Sequence, residues 1–188
     1  MTSTVSDVGA SGWQARVAFQ ADIGAALQQA RQRAYDDRSF YRAPSLSDEA
    51  GAMSEEEYVA WGIAQTRALF PDDDTWEPSG EEYRTEWQAA QVVVTGPDSL
   101  LASQPYSGTH SIIDMTHVAD EPGYNAVAPA SAEYLQEIFG TTQPTAAAVR
   151  AAIEDDRIHG FARWHGLYVI GYRDGQPEAI FFVGYSGD

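Results

Sequence analysis

Four histidines, His110, His117, His159 and His165, lie in the second half of a 188-residue chain. The spacing H-x-x-x-D-x-x-H at His110, Asp114 and His117 would stack three ligands on one helix face. The residues between them are β-formers. On a strand His110 and Asp114 share a face but stand about 13 Å apart, and His117 points the other way. Zinc ligands converge at about 2 Å from one ion, so these three make no local site. The expectation is no metal and no cofactor, with a site joining one of them to His159 or His165 left open.

A second group is Arg157, His159, Arg163, His165 and Arg173. In an acidic chain a local positive patch can hold an anionic ligand or orient a carboxylate. His165, Arg163 and Tyr168, together with His110, are the candidate catalytic residues of a small-molecule site. The simpler reading pairs these arginines with Glu154, Asp155 and Asp156. A third group is Asp72, Asp73, Asp74 and Trp76, a candidate binding surface that combines an aromatic anchor with electrostatic steering. It lacks the alternating ligands, central glycine and distal glutamate of a calcium loop. Its simpler reading is a solvated loop with Trp76 folded back on the helices. Local signatures of nucleophilic, zinc-protease and nucleotide chemistry (G-x-S-x-G, H-E-x-x-H, the P-loop, G-x-G-x-x-G) are absent.

These residues must be positioned by elements, and the patterns predict them. Trp13 to Phe19 alternates as a half-buried strand. Asp22 caps a helix whose stripe is Ile23, Leu27, Ala30 and Ala34, ending near Asp36. Residues 39–53 are irregular. Ser54 and Glu57 form a capping box for a helix buried over much of its circumference, with Val59, Ile63 and Phe70 inward. Ser79 and Glu82 repeat the box for a third helix, which either runs past Gln91 or gives way to a short strand at Val92–Thr95. Thr109 to Val118 reads as a strand. Two further helices follow, one stopped by Gly140 and one opened by Thr145. A terminal hairpin, 163–173 with 178–185, turns at Asp174-Gly175, which suits a type I′ turn. Its register puts Tyr168 opposite Phe181 and Gly184 opposite His165, leaving space beside that imidazole. Both faces of both strands are apolar, so the hairpin is expected in the centre of the sheet. The fold class is α+β: a mostly antiparallel sheet packed by about five helices, forming one domain over 12–188 after a flexible tail at 1–11.

Three blocks resemble a set of small uncharacterised bacterial proteins that share them. They are Gly108-Thr109-His110-Ser111-Ile112-Ile113-Asp114, the Gly-Thr-Thr-x-Pro-Thr run at 140–145, and Ile180-Phe181-Phe182-Val183-Gly184-Tyr185-Ser186. The resemblance covers mainly residues 108–188. It implies no activity and lends no site residues.

Composition narrows the function classes. Net charge is -17, from 28 acidic and 11 basic residues, and every basic residue is arginine. That balance disfavours nucleic acid and anionic membranes, which need a basic footprint. There is no cysteine, which excludes disulfides and thiolate chemistry. No run approaches the apolar length of a membrane helix, and Met1 to Ser11 lacks a signal-peptide pattern, so a cytoplasmic protein is expected. The leading expectation is an acidic protein-binding module, in its specific form an immunity or inhibitor protein for a basic toxin. The alternative is a small enzyme of specialised metabolism with an aromatic-lined pocket near the C-terminal hairpin. Enzyme and binder both stay open, as does oligomeric state.

Overall fold

The computed structural model describes residues 11–70, 79–159 and 162–187. In chain order the elements are β1 (Gly12–Ala18), α1 (Ile23–Asp36), α2 (Asp48–Gly51), α3 (Glu55–Leu69), α4 (Gly80–Ala90), α5 (Pro97–Ala102), a 3-10 turn (Ile112–Asp114), β2 (His117–Val118), β3 (Ala126–Pro129), α6 (Ala132–Phe139), α7 (Ala146–Glu154), β4 (His165–Arg173) and β5 (Gln176–Tyr185). The class is α+β. No helix among the described residues is long and apolar enough to cross a membrane. Except for Ser11, the expected tail lies outside the described residues, as does the acidic loop with Asp72, Asp73, Asp74 and Trp76. The chain divides into two compact units: Met1–Tyr41 with Ser107–Asp188, and Arg42–Tyr106.

The first unit is a five-stranded sheet in the order β1-β5-β4-β3-β2. The terminal hairpin β4–β5 sits in its centre, as the apolar character of both its faces requires. β1 pairs antiparallel with β5, and β5 with β4. β4 pairs parallel with β3, and β3 with β2. The sheet is therefore mixed, with the longer pairings antiparallel. One face packs on α1 through Trp13, Val17, Leu27, Ile180 and Phe182. The other packs on α6 and α7 through Val149, Leu167, Val169, Phe181 and Val183. Each inward set alternates along its strand, as a pleated sheet covered on both sides demands.

The caps follow the side chains expected to make them. Asp22 accepts the Ala25 N–H at 2.9 Å, and Thr145 accepts the Ala148 N–H at 3.1 Å. Gly140 ends α6 at φ 68°, in the left-handed region that glycine tolerates. The hairpin register departs from expectation by one residue. Arg173 faces Gln176, but an irregularity between Gly171 and Tyr172 shifts the rest, so Tyr168 faces Phe182 and His165 faces Tyr185. Pro177, which has no N–H for the ladder, sits opposite Tyr172 where the shift occurs.

Gly184 consequently faces Gly166, and Trp13 faces Gly184 from β1. The Trp13 indole lies across both glycines. A Cβ at Gly184 would come within 2.3 Å of its Cζ2, and one at Gly166 within 2.7 Å of its Cη2. The space expected beside His165 is thus replaced by a slot for tryptophan.

The expected strand at Thr109–Val118 is a correction. Ser111 caps a 3-10 turn by accepting the Ile113 N–H at 3.2 Å, and only His117–Val118 is a strand. Local side-chain acceptors here outcompete the ladder. β3 was not signalled by any alternation, because Ala126, Val127 and Ala128 are all buried.

The second unit pairs α3 with α4. The capping box at Ser54 and Glu57 is complete, whereas Ser79 caps through the Glu81 N–H. The Tyr83 ring seats on Gly62, where a Cβ would meet it at 2.5 Å. Tyr58 donates to Glu86 at 3.2 Å, and burial together with that carboxylate pushes its phenol up to about 12. Contrary to the expectation of broad burial, α3 buries Tyr58 and Gly62 and leaves Trp61 43% and Phe70 58% exposed. Residues 92–95 are neither helix nor strand: α4 stops at Ala90.

Candidate functional site

β1, β2, β3 and β4 all begin, and β5 ends, at one end of the sheet. Among the described residues, three of the six non-glycine residues with positive φ gather in the loops there: His110 at 50°, Asn125 at 55° and Trp164 at 62°. Asparagine tolerates that region. Histidine and tryptophan hold it at a cost of about 1–3 kcal/mol each, and such strain concentrates at functional sites. The Trp164 ring lies against Gly108, where a Cβ would fall 2.5 Å from its Cη2, and against Tyr124 at 5.7 Å between centroids.

A buried polar knot holds this end together. Asp114 is fully buried. Its Oδ1 accepts the Thr109 N–H at 2.6 Å and the Thr109 hydroxyl at 2.7 Å, while Oδ2 accepts the Ser186 hydroxyl at 2.8 Å. The Thr109 and Ser111 hydroxyls meet at 2.9 Å. The first and last of the three sequence blocks are therefore joined through one carboxylate. Ile113 O accepts from Nε and Nη2 of Arg31, each at 3.1 Å, which ties α1 to the 3-10 turn. The β-forming residues hide the knot; its signal in the sequence is threonine, serine and aspartate within a few residues, which favour local side-chain bonds over a ladder.

Three of the four candidate residues come to this end. His110 stacks on Tyr41 with centroids 4.5 Å apart, beside the 2.7 Å bond from Tyr41 N–H to Thr109 O. His165 is half-buried, and its Nδ1 lies 2.6 Å from Arg163 O. A carbonyl only accepts, so Nδ1 is the donor in this contact. Tyr168 does not join them. It stands on the α1 face beside Phe182, while His165 shares the opposite face with Leu167 and Val169. Burial, and secondarily Asp120, holds the Tyr168 phenol above its ordinary range, so it stays protonated at neutral pH.

The cationic group is dispersed. Arg173 and His165 mark opposite ends of β4, about 26 Å apart. Arg173 pairs with Glu178. Arg157 lies 3.9 Å from Asp155 and donates to Ile138 O at 3.2 Å. His117 is exposed, and both oxygens of Asp114 are engaged in the knot, so the H-x-x-x-D-x-x-H residues do not converge.

A cleft of about 430 Å³ opens between β1, α1 and the His110 turn, lined by Trp13, Gln14, Arg33, Asp37, Ser39 and His110 among others. Trp13 is 7% exposed and its Nε1 has no hydrogen-bond partner; Asn125 Oδ1 is the other such buried atom among the described residues. On the opposite face of β1 a smaller hollow of about 220 Å³ is lined by Gln14, Asp156, Ile158 and Tyr185 among others. No protein-family model matches the chain, and neither a curated protein nor a solved structure is similar enough to it to count as a match.

Proposed function

We propose that the protein is a cytoplasmic acidic binding module that neutralises a basic protein, in the manner of an immunity or inhibitor protein. One observation carries the reading. Five of its eleven arginines are engaged within the chain by these contacts: Arg31 on Ile113, Arg157 on Asp155 and Ile138, Arg16 and Arg173 on Glu178, Arg84 on Glu55. The exposed carboxylates, among them Glu133 and Glu137 on successive turns of α6 and Glu154 and Asp156 at the end of α7, greatly outnumber them. Such a surface speeds encounter with a basic partner and makes binding salt-dependent. Asp72, Asp73, Asp74 and Trp76 extend the same chemistry. Affinity capture from source lysate at low and high salt tests it. The expected result is a stoichiometric basic protein that dissociates as salt rises. No such protein, or one whose binding ignores salt, would refute it.

A second reading, a small enzyme, is favoured by the strained His110 beside the larger cleft. It expects a small ligand to raise the melting temperature of the native protein and not of His110→Ala. An equal shift in both proteins removes His110 from that reading.

A further inference from the structure

The two edges of the sheet are unlike. β2, at one edge, is two residues long, a common way of blunting an edge. β1, at the other, runs for seven residues with no proline and no bulge. Its register fixes which backbone groups face outward. Phe19 N–H donates to Glu178 O, and Ser186 N–H to Ser11 O, both at 3.0 Å. Odd-numbered residues of β1 therefore bond to β5. The N–H and C=O groups of Gly12, Gln14, Arg16 and Ala18 point away from the sheet. Among the described residues only Arg33 reaches this row, donating from Nη1 to Arg16 O at 3.4 Å. Donors and acceptors alternating at strand spacing match one kind of ligand, another extended backbone.

We infer that the free edge of β1 takes an added strand from the partner, an extended segment that alternates apolar and basic side chains. This rests on the reading of the protein as a binder of basic partners, and it gives that binding a place. On the α1 side the added strand would lay apolar side chains along the cleft, over Ala15, Ala30 and Ala34. On the other side its residues face Asp156 beside Gln14. Arg16 is turned to Glu178 and to the Phe181 ring, leaving that row open to a cation. A second copy of the chain is the poorer occupant, because two bodies of charge -17 repel.

The test uses a synthetic peptide of alternating valine and lysine, long enough to span β1. A control peptide has its pairing-edge nitrogens methylated. Gln14→Pro removes one outward N–H while leaving every β1–β5 bond in place, a position where an edge strand accepts proline. Native protein and Gln14→Ala should bind the peptide alike, with amide shifts at Gly12, Gln14 and Arg16. Gln14→Pro should bind at least tenfold more weakly, and native protein should ignore the methylated peptide. The methylated peptide keeps the test valid should Gln14→Pro fold poorly. Equal binding of both peptides overturns the inference. So does undiminished binding by folded Gln14→Pro that is lost when Glu133 and Glu137 become glutamine; that outcome leaves the acidic-binder reading standing. If native protein binds neither this peptide nor any basic protein from the lysate, that reading falls as well.

Discussion

A fully buried carboxylate survives only when donors meet its oxygens, and Asp114 has three. Asp114→Ala would leave the buried Thr109 N–H and Ser186 hydroxyl without this acceptor, and the Thr109 hydroxyl with Ser111 alone. The expected loss is about 3 kcal/mol, read from the denaturation midpoint of the first unit. Thr109→Val should cost less, because one donor leaves together with its need for an acceptor. His110 and Trp164, by contrast, spend stability on backbone strain. In the sequence His110 is a candidate site residue and Trp164 falls within the expected strand 163–173, but the positive φ of neither is legible there. Such strain depends on what surrounds a residue, here the Tyr41 ring and the shelf at Gly108. The unpartnered Trp13 Nε1 was equally hidden, because it follows from an indole spread across two glycines of other strands.

At the scale of elements, helix starts were legible because caps are local. Asp22, Ser54 and Thr145 each accept the N–H three residues on, and Ser79, though without the box to Glu82, accepts the Glu81 N–H. The box at Ser54 also sets a pH dependence. The Ser54 backbone N–H, and then its hydroxyl, stabilise ionised Glu57 and lower its pKa from 4.5. A depressed acid adds stability above its unfolded value, and that stability fades as pH falls through the folded one. Glu57→Ala should therefore melt below the native protein at neutral pH. The gap should close as pH drops below about 4.5, measured by helical circular dichroism. Sheet order was less legible. The central hairpin announced itself by apolar residues on both faces and an Asp-Gly turn. The one-residue shift at Gly171 did not, because a bulge depends on what the partner strand offers. The parallel half of the sheet was invisible for a related reason: β2 and β3 are too short to show a period.

For the whole molecule, Arg42–Tyr106 is inserted between Tyr41 and Ser107 of the first unit, and the first unit's own flanking residues lie close together. There Tyr41 N–H donates to Thr109 O at 2.7 Å and the Tyr41 ring stacks on His110. Because these chain ends are already adjacent, replacing residues 42–106 with a short glycine-serine linker should leave the sheet folded. The check is whether Trp13 keeps its native fluorescence and the β4–β5 amides their exchange protection. Loss of both would mean the inserted residues are required for the sheet. The pairing of β1 with β5 has a consequence in time. Synthesis makes β1 before, and its neighbour β5 after, every other described element. Until β5 leaves the ribosome, β1 has two raw edges and Trp13 has no glycines to lie on. The nascent chain carries an unpaired strand while all the elements between β1 and β5 are made. Closure across so long a loop should make this sheet a slow folder, dependent on chaperone shelter in proportion to how slowly it is translated.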